Sequence, residues 1–195
     1  MNIGILYIAT GRYICFWDEF YTSAKKYLFP NDNLKFFVFT DAQKIEHEDN
    51  NDVVKIYAKS SGWTASTCDK FTFFADNEEL YKDIDYLYHF NANMKFIGTI
   101  DHEIIPKEEN GYICATLWLN HKLKGNPENY PYDRNPKSLA YIPYGEGKYY
   151  YMGGVHGGRT KEYLQMCRTL ENNMKEDFAN VVMAAWHDES HINKN

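Results

Sequence analysis

The chain has 195 residues, 44% hydrophobic and 25% charged, the balance of one folded domain with a real core and not of a disordered segment. Lys and Arg number 21 against 27 Asp and Glu, a formal charge of −6, which excludes a chain built to wrap nucleic acid, because phosphates would be repelled. Aromatic residues reach 17%, with 17 tyrosines, and tyrosine suits both a polar ligand cleft and a core.

Residues 3–9 read as a buried first strand. No basic segment precedes them, and neither this run nor a later one reaches the roughly 18 apolar residues of a membrane span. The expectation is a soluble, cytoplasmic protein without a transmembrane segment. Thr10-Gly11-Arg12-Tyr13 is a strand-to-helix turn with one glycine. Its N–H groups can hold a nucleotide and Tyr13 can stack on a base, although an ordinary β–α turn explains the same residues. Phe16, Phe20, Ala24 and Tyr27 lie near helical spacing and predict an amphipathic helix over 15–28, broken by Pro30-Asn31-Asp32-Asn33.

Strands are predicted at 34–40 and 53–57, a helix at 66–81, then strands at 85–90 and 112–119. A loop rich in Asn, Pro and Gly runs through residue 138. Residues 149–155 are β-like, and Gly157-Gly158 leads into a helix from about 160 to 175. Strands alternating with helices predict an α/β fold with a mostly parallel sheet, one domain over 1–195. Ligands gather at the carboxyl ends of such strands, here the loops after residues 9, 40 and 90. Cys15, Cys68, Cys114 and Cys167 are widely spaced without a C-x-x-C pair, so reduced, mostly buried thiols are expected.

Three further segments carry candidate chemistry. Asn91-Ala92-Asn93 ends a strand with two amides that flank a small residue. Carboxylates there would hold a divalent cation, whereas amides bind one poorly but can hydrogen-bond phosphate or sugar; a simple turn is the alternative. In Tyr149-Tyr150-Tyr151-Met152-Gly153-Gly154-Val155-His156-Gly157-Gly158, the first glycine pair leaves room for a ligand such as a sugar ring, or marks a bulge. Trp186-His187-Asp188-Glu189-Ser190-His191 spaces two histidines like a zinc helix, but Asp follows the first His and no third ligand is marked. Trp and carboxylates together suit a sugar site, with a solvated helix end as the alternative.

These segments, in this order, resemble glycosyltransferase family six, which includes the blood-group A and B transferases, the α-1,3-galactosyltransferases and bacterial relatives. The matching stretches are IATGRY at 8–13, FYTSAKKY at 20–27, YLYHFNANMKF at 86–96, SLAYIPYGEGKYYYMGGVHGG at 138–158 and WHDESHINK at 186–194, nearly the whole chain. The resemblance implies a GT-A fold, a Rossmann-like nucleotide-binding sheet continuous with an acceptor-binding part. It implies retaining transfer of GalNAc or Gal from UDP-GalNAc or UDP-Gal to the 3-OH of a galactoside or fucosylated galactoside, forming an α-1,3 link.

By the same resemblance Ile8, Ala9, Thr10 and Tyr13 contact uridine, and Ser66 and Lys70 contact the nucleotide further on. Asn91, Ala92 and Asn93 occupy the family's Asp-x-Asp site. Animal members bind Mn²⁺ there, and bacterial relatives with Asn-x-Asn work without metal, so no metal cofactor is expected. Met152, Gly153 and Gly154 fall on the segment that selects the donor sugar. Gly154 favours an acetamido group and hence GalNAc, whereas Met152 is the residue of galactose-preferring relatives. Glu189 matches the catalytic carboxylate, as nucleophile or as oxocarbenium stabiliser. Asp188 and His187 would orient donor and acceptor hydroxyls, with Trp186 and Trp118 on the acceptor. The family normally continues past the last motif and closes over UDP with basic residues. The chain therefore reads as lacking that C-terminal segment, with Lys70, Lys95 and Arg159 left to offset the diphosphate. A weak or silent nucleotide- or glycan-binding domain, or a UDP-sugar hydrolase, is the alternative function.

Overall fold

A computed structural model describes residues 1–59, 62–119 and 126–195, and the side chains of residues 63–67 also lie outside that description. The chain runs β1 (Asn2–Ile8), a 3₁₀ turn (Gly11–Phe16), α1 (Trp17–Tyr27), β2 (Asn33–Thr40), β3 (Val53–Tyr57) and α2 (Trp63–Asp76). It continues with β4 (Tyr86–Phe90), β5 (Ile113–Leu117), β6 (Tyr151–Arg159), α3 (Thr160–Ala179) and α4 (His187–Lys194). The described strands form one six-stranded sheet in the order β3-β2-β1-β4-β6-β5. β1 to β4 are mutually parallel, while β6 runs antiparallel to both β4 and β5. The mostly parallel α/β sheet predicted from the sequence is thus present, with an antiparallel pair of strands added on one side.

Two apolar layers cover the sheet, as a parallel sheet needs because both its faces are apolar. On one face Ile3, Ile5 and Tyr7 pack against Trp17, Phe20 and Ala24 of α1. On the other, Leu6, Phe37 and Phe39 pack against Phe71 and Phe74 of α2 and Met166 and Leu170 of α3. The helix expected at 15–28 opens as the 3₁₀ turn, which leaves Cys15 exposed, contrary to the expectation of mostly buried thiols; Cys68 and Cys167 are buried. Among the described residues no helix is long and apolar enough to cross a membrane.

β6 extends through the segment expected to lead into a helix. A Cβ on Gly157 would lie 2.5 Å from the Leu87 carbonyl oxygen, and one on Gly158 would lie 2.5 Å from that of Tyr112. Glycine is required there for close approach of neighbouring strands, and the expected helix follows as α3 at Thr160. The loop after β5 is pinned by polar clamps. Asp133 accepts from the Ala185 amide at 2.7 Å, and Asp177 of α3 accepts from the Ser138 hydroxyl at 2.6 Å and the Leu139 amide at 2.9 Å.

His89 of β4 and His156 of β6 face each other across the ladder, buried, with ring centroids 5.0 Å apart. His89 Nδ1 lies 2.9 Å from the Leu6 carbonyl, which can only accept, so Nδ1 carries the proton. Burial, then the positive charge of Lys70, pushes His89 down to about 3. Burial, then His89 and Lys70, holds His156 well below the ordinary histidine range. The unfolded chain therefore binds protons below about pH 6.5 that the folded chain does not, and stability falls on acidification at up to about 1.4 kcal/mol per pH unit for each histidine. Thermal melts at pH 7.5 and 5 should show a lower midpoint at pH 5, with a smaller drop in His156→Gln; equal drops in both proteins contradict this.

Candidate active site

The parallel strands bring the ends of β1, β2 and β4 to one edge. Ala9 is locked there by β2: its amide donates to Phe39 O at 2.9 Å, and Thr40 Oγ1 donates to its carbonyl at 2.7 Å. The Gly11 amide donates to Asp41 at 2.7 Å, which fixes the turn, and Tyr13 stands 54% exposed beyond it. Ile8 and Thr10 are half-buried. The buried Tyr7 hydroxyl donates to the Ala92 carbonyl at 3.0 Å and ties this turn to Asn91-Ala92-Asn93 at the end of β4. Ala92 is buried between exposed Asn91 and Asn93.

Next to that turn the β5–β6 ladder breaks. Ala115 pairs with His156, but the next residue, Thr116, pairs with Met152, so Gly153, Gly154 and Val155 bulge out of the β5 register. A bulge leaves backbone groups unpaired, and buried ones must find other partners. Here the Gly153 amide donates to Glu189 Oε2 at 2.7 Å, and Lys70 Nζ donates to the Gly153 carbonyl at 3.1 Å. The Gly154 carbonyl accepts from the Asn91 amide at 2.8 Å. Of the two sequence readings of this glycine pair, the bulge is the one the β5–β6 register shows.

The missing Cβ atoms have separate uses. At Gly153 a Cβ would sit 3.0 Å from Asp188 Oδ2 and 3.5 Å from Glu189 Oε2. At Gly154 it would sit 2.9 Å from Asn91 Nδ2 and 3.3 Å from Met94 Cε. The space next to Gly154, where the sequence expected an acetamido group, is lined by the Asn91 and Met94 side chains. Met152 is half-buried at the edge of the bulge.

α4 delivers the carboxylates. Asn193 accepts from the Tyr151 amide at 2.8 Å and donates to the Tyr151 carbonyl at 2.8 Å, so its amide group pairs with β6 as a strand residue would. One turn earlier Glu189 is clamped on both oxygens, with Tyr150 Oη donating to Oε1 at 2.7 Å opposite the Gly153 amide on Oε2. Asp188, 6% exposed, pairs with Lys70 at 2.8 Å, both side chains 8% exposed. The alternative of a solvated helix end is excluded, since Asp188, Ser190 and His191 are all buried. His191 lies 3.4 Å from Asp177.

His187, half-buried, opens α4 with φ +50°, a strained backbone for a non-glycine residue. Trp186 before it is 54% exposed. Trp118 joins the cluster through Tyr150: its amide donates to the Tyr150 carbonyl at 2.8 Å, and the two rings meet edge-on at 5.5 Å. Ser66 lies outside the described side chains. Sequence reading missed Tyr150 and Asn193 as site residues; the only signal was their place inside the last two motifs, at 138–158 and 186–194.

The cations expected for the diphosphate are placed differently. Lys70 is committed to Asp188 and Gly153. Lys95 pairs with Glu19 on the surface at 2.5 Å. Arg159 stands at the far end of β6, opposite Tyr86 at the start of β4, and pairs with Glu162, so strand length alone removes it from the site.

The residues also test the fit of the Mn²⁺ that animal members hold. Asn91 and Asn93 supply neutral amides, and Asn91 Nδ2 packs towards Gly154. Divalent cations of this kind favour carboxylate oxygens, so the donor set does not suit a resident metal. The metal-capable group found among the described residues, Asp32, Asp101 and His102, lies elsewhere, at the opposite end of the sheet, where Asp32 precedes β2.

The mixed six-stranded sheet with helices on both faces is consistent with a GT-A-like glycosyltransferase fold. Comparison with known proteins gives the family: residues 1–195 match Glycosyltransferase family 6, and the chain belongs to it. It is 29% identical over 202 residues to the chicken (Gallus gallus) globoside α-1,3-N-acetylgalactosaminyltransferase 1, covering 100% of this chain and 57% of that protein. It is 28% identical over 201 residues to the rat (Rattus norvegicus) histo-blood group ABO system transferase 1, with 99% and 56% covered. It is 26% identical over 193 residues to the Escherichia coli O-antigen biosynthesis glycosyltransferase WbnI, with 99% and 81% covered. The chain thus spans just over half the length of those two animal relatives.

The buried ion pair gives a stability prediction. Lys70→Met strands the Asp188 carboxylate and should cost about 3–5 kcal/mol. Lys70→Met with Asp188→Leu should recover most of that in urea unfolding; a double variant as unstable as the single one contradicts the pairing.

Proposed function

We propose that the protein is a retaining glycosyltransferase that moves GalNAc or Gal from UDP-GalNAc or UDP-Gal to the 3-OH of a galactoside acceptor, forming an α-1,3 link without a metal ion. The observation that carries this reading is the Glu189 carboxylate, fixed by the Tyr150 hydroxyl and the Gly153 amide at the edge where β4 ends. The names of the animal relatives support the hexosamine donor and the linkage.

The chemistry needs a negative charge beside the anomeric carbon as its bond to the UDP oxygen breaks. Glu189 supplies it, either by bonding to that carbon or by stabilising the oxocarbenium ion while the acceptor O3 attacks on the same face. The bonding electrons of the broken bond leave with UDP, and the departing phosphate oxygen takes the proton from the acceptor 3-OH. The turn at 8–13 serves uridine, with Tyr13 offered as a stacking face, and the amides of Asn91 and Asn93 serve the sugar or phosphates without adding negative charge. Lys70 acts through Asp188, holding that carboxylate in place under Gly153. The half-buried Trp118 and the exposed Trp186 offer apolar faces to an acceptor sugar.

Turnover with EDTA present, offering each donor separately with 2′-fucosyllactose, tests the assignment. Transfer product is expected, with UDP release unchanged by the chelator. Glu189→Gln should lower turnover by about a thousandfold and leave the Kd for UDP within about threefold. UDP release without transfer product points to hydrolysis, and UDP binding without release points to a silent binding domain.

A further inference from the structure

Tyr150 stands in an aromatic cage that holds its ring beside the site carboxylate. Tyr150 is 1% exposed, and its ring is held by Trp118 at 5.5 Å, Tyr132 at 5.5 Å and Tyr130 at 6.2 Å. A tyrosine so enclosed keeps one ring position, so its hydroxyl is a fixed point in space. That hydroxyl lies 2.7 Å from Glu189 Oε1. Burial and the neighbouring carboxylate push its ionisation well above the ordinary phenol range, so it only donates.

We propose that Tyr150 is the positioning residue of the carboxylate: its caged hydroxyl, opposing the Gly153 amide, sets the plane and direction of Glu189. A glutamate has three side-chain torsions, and two donors on its two oxygens fix the last of them, which one donor alone does not. The inference rests on the transferase reading for its meaning, but the geometry exists without it. It also gives the acceptor side a route to the carboxylate, because Trp118, the stacking candidate, touches the same ring and bonds the same backbone.

Tyr150→Phe keeps the ring and the cage and removes only the donor. The full chain should melt within about 3 °C of the parent. Its kcat should fall about 10- to 100-fold, with the KM for the UDP-sugar within about twofold. Tyr81→Phe serves as the control: Tyr81 is also buried, its hydroxyl has no partner among the described residues, and kcat should stay unchanged. A second readout needs no turnover. The Gly153 amide donates to the other oxygen of the same carboxylate, so its ¹H–¹⁵N signal should move or broaden in Tyr150→Phe and not in Tyr81→Phe.

If the parent is active and Tyr150→Phe keeps kcat within threefold, the inference is wrong and the transferase reading stands. If the parent releases no UDP from either donor, the transferase reading falls and the Gly153 signal decides. Movement upholds the positioning role, and an unchanged signal overturns it.

Discussion

The bulge at Gly153–Val155 is the feature on which the rest of the site depends. A regular β5–β6 ladder would spend the amide and carbonyl of Gly153 on strand pairing. Because the register jumps between Ala115 and Thr116, those groups are released at the one place where α2, α4 and the end of β4 converge. The amide meets Glu189 and the carbonyl meets Lys70, while the next carbonyl meets the Asn91 amide. Side chains would block this arrangement: the Cβ positions of Gly153 and Gly154 are within 3.0 Å of Asp188 and Asn91 respectively. One break in a sheet thus joins elements distant in sequence.

Charge is handled by burial in pairs and by neutrality. Lys70 and Asp188 are withdrawn from solvent together, so each offsets the desolvation cost of the other. His89 and His156 beneath them stay neutral, which avoids adding positive charge next to an already buried lysine. The remaining carboxylate, Glu189, is half-buried and held by two hydrogen-bond donors, the Tyr150 hydroxyl and the Gly153 amide. The same logic suits amides at the Asn91 and Asn93 positions: without a cation, carboxylates there would repel a diphosphate.

The legible part of the fold was the alternation of apolar runs with amphipathic ones. The strands at 34–40 and 53–57 and the helix before Pro30 follow from period and breakers, which are local properties. Gly157 and Gly158 do lead into the helix expected from about 160, but their role in close strand approach shows only against the neighbouring backbones of Leu87 and Tyr112. Loop residues 126–138 read as loose because Asn, Pro and Gly dominate, yet Asp133 and Asp177 pin the segment to α3 and to the chain before α4. Arg159 was offered as a phosphate cation on residue type alone; its place at the far end of β6 is a matter of strand direction, which composition does not carry.

By itself the sequence determined the α/β layers, which rest on residue type at short spacing, and its motifs carried the resemblance to the family that the comparison shows. Tertiary structure alone decided what each charged or polar group does. Lys70 and Asp188 lie 118 positions apart and meet as an ion pair. Tyr150 and Glu189, 39 apart, meet as donor and acceptor. Such pairings depend on how strands are ordered in the sheet and on where one ladder slips, and neither leaves a periodic trace in the chain.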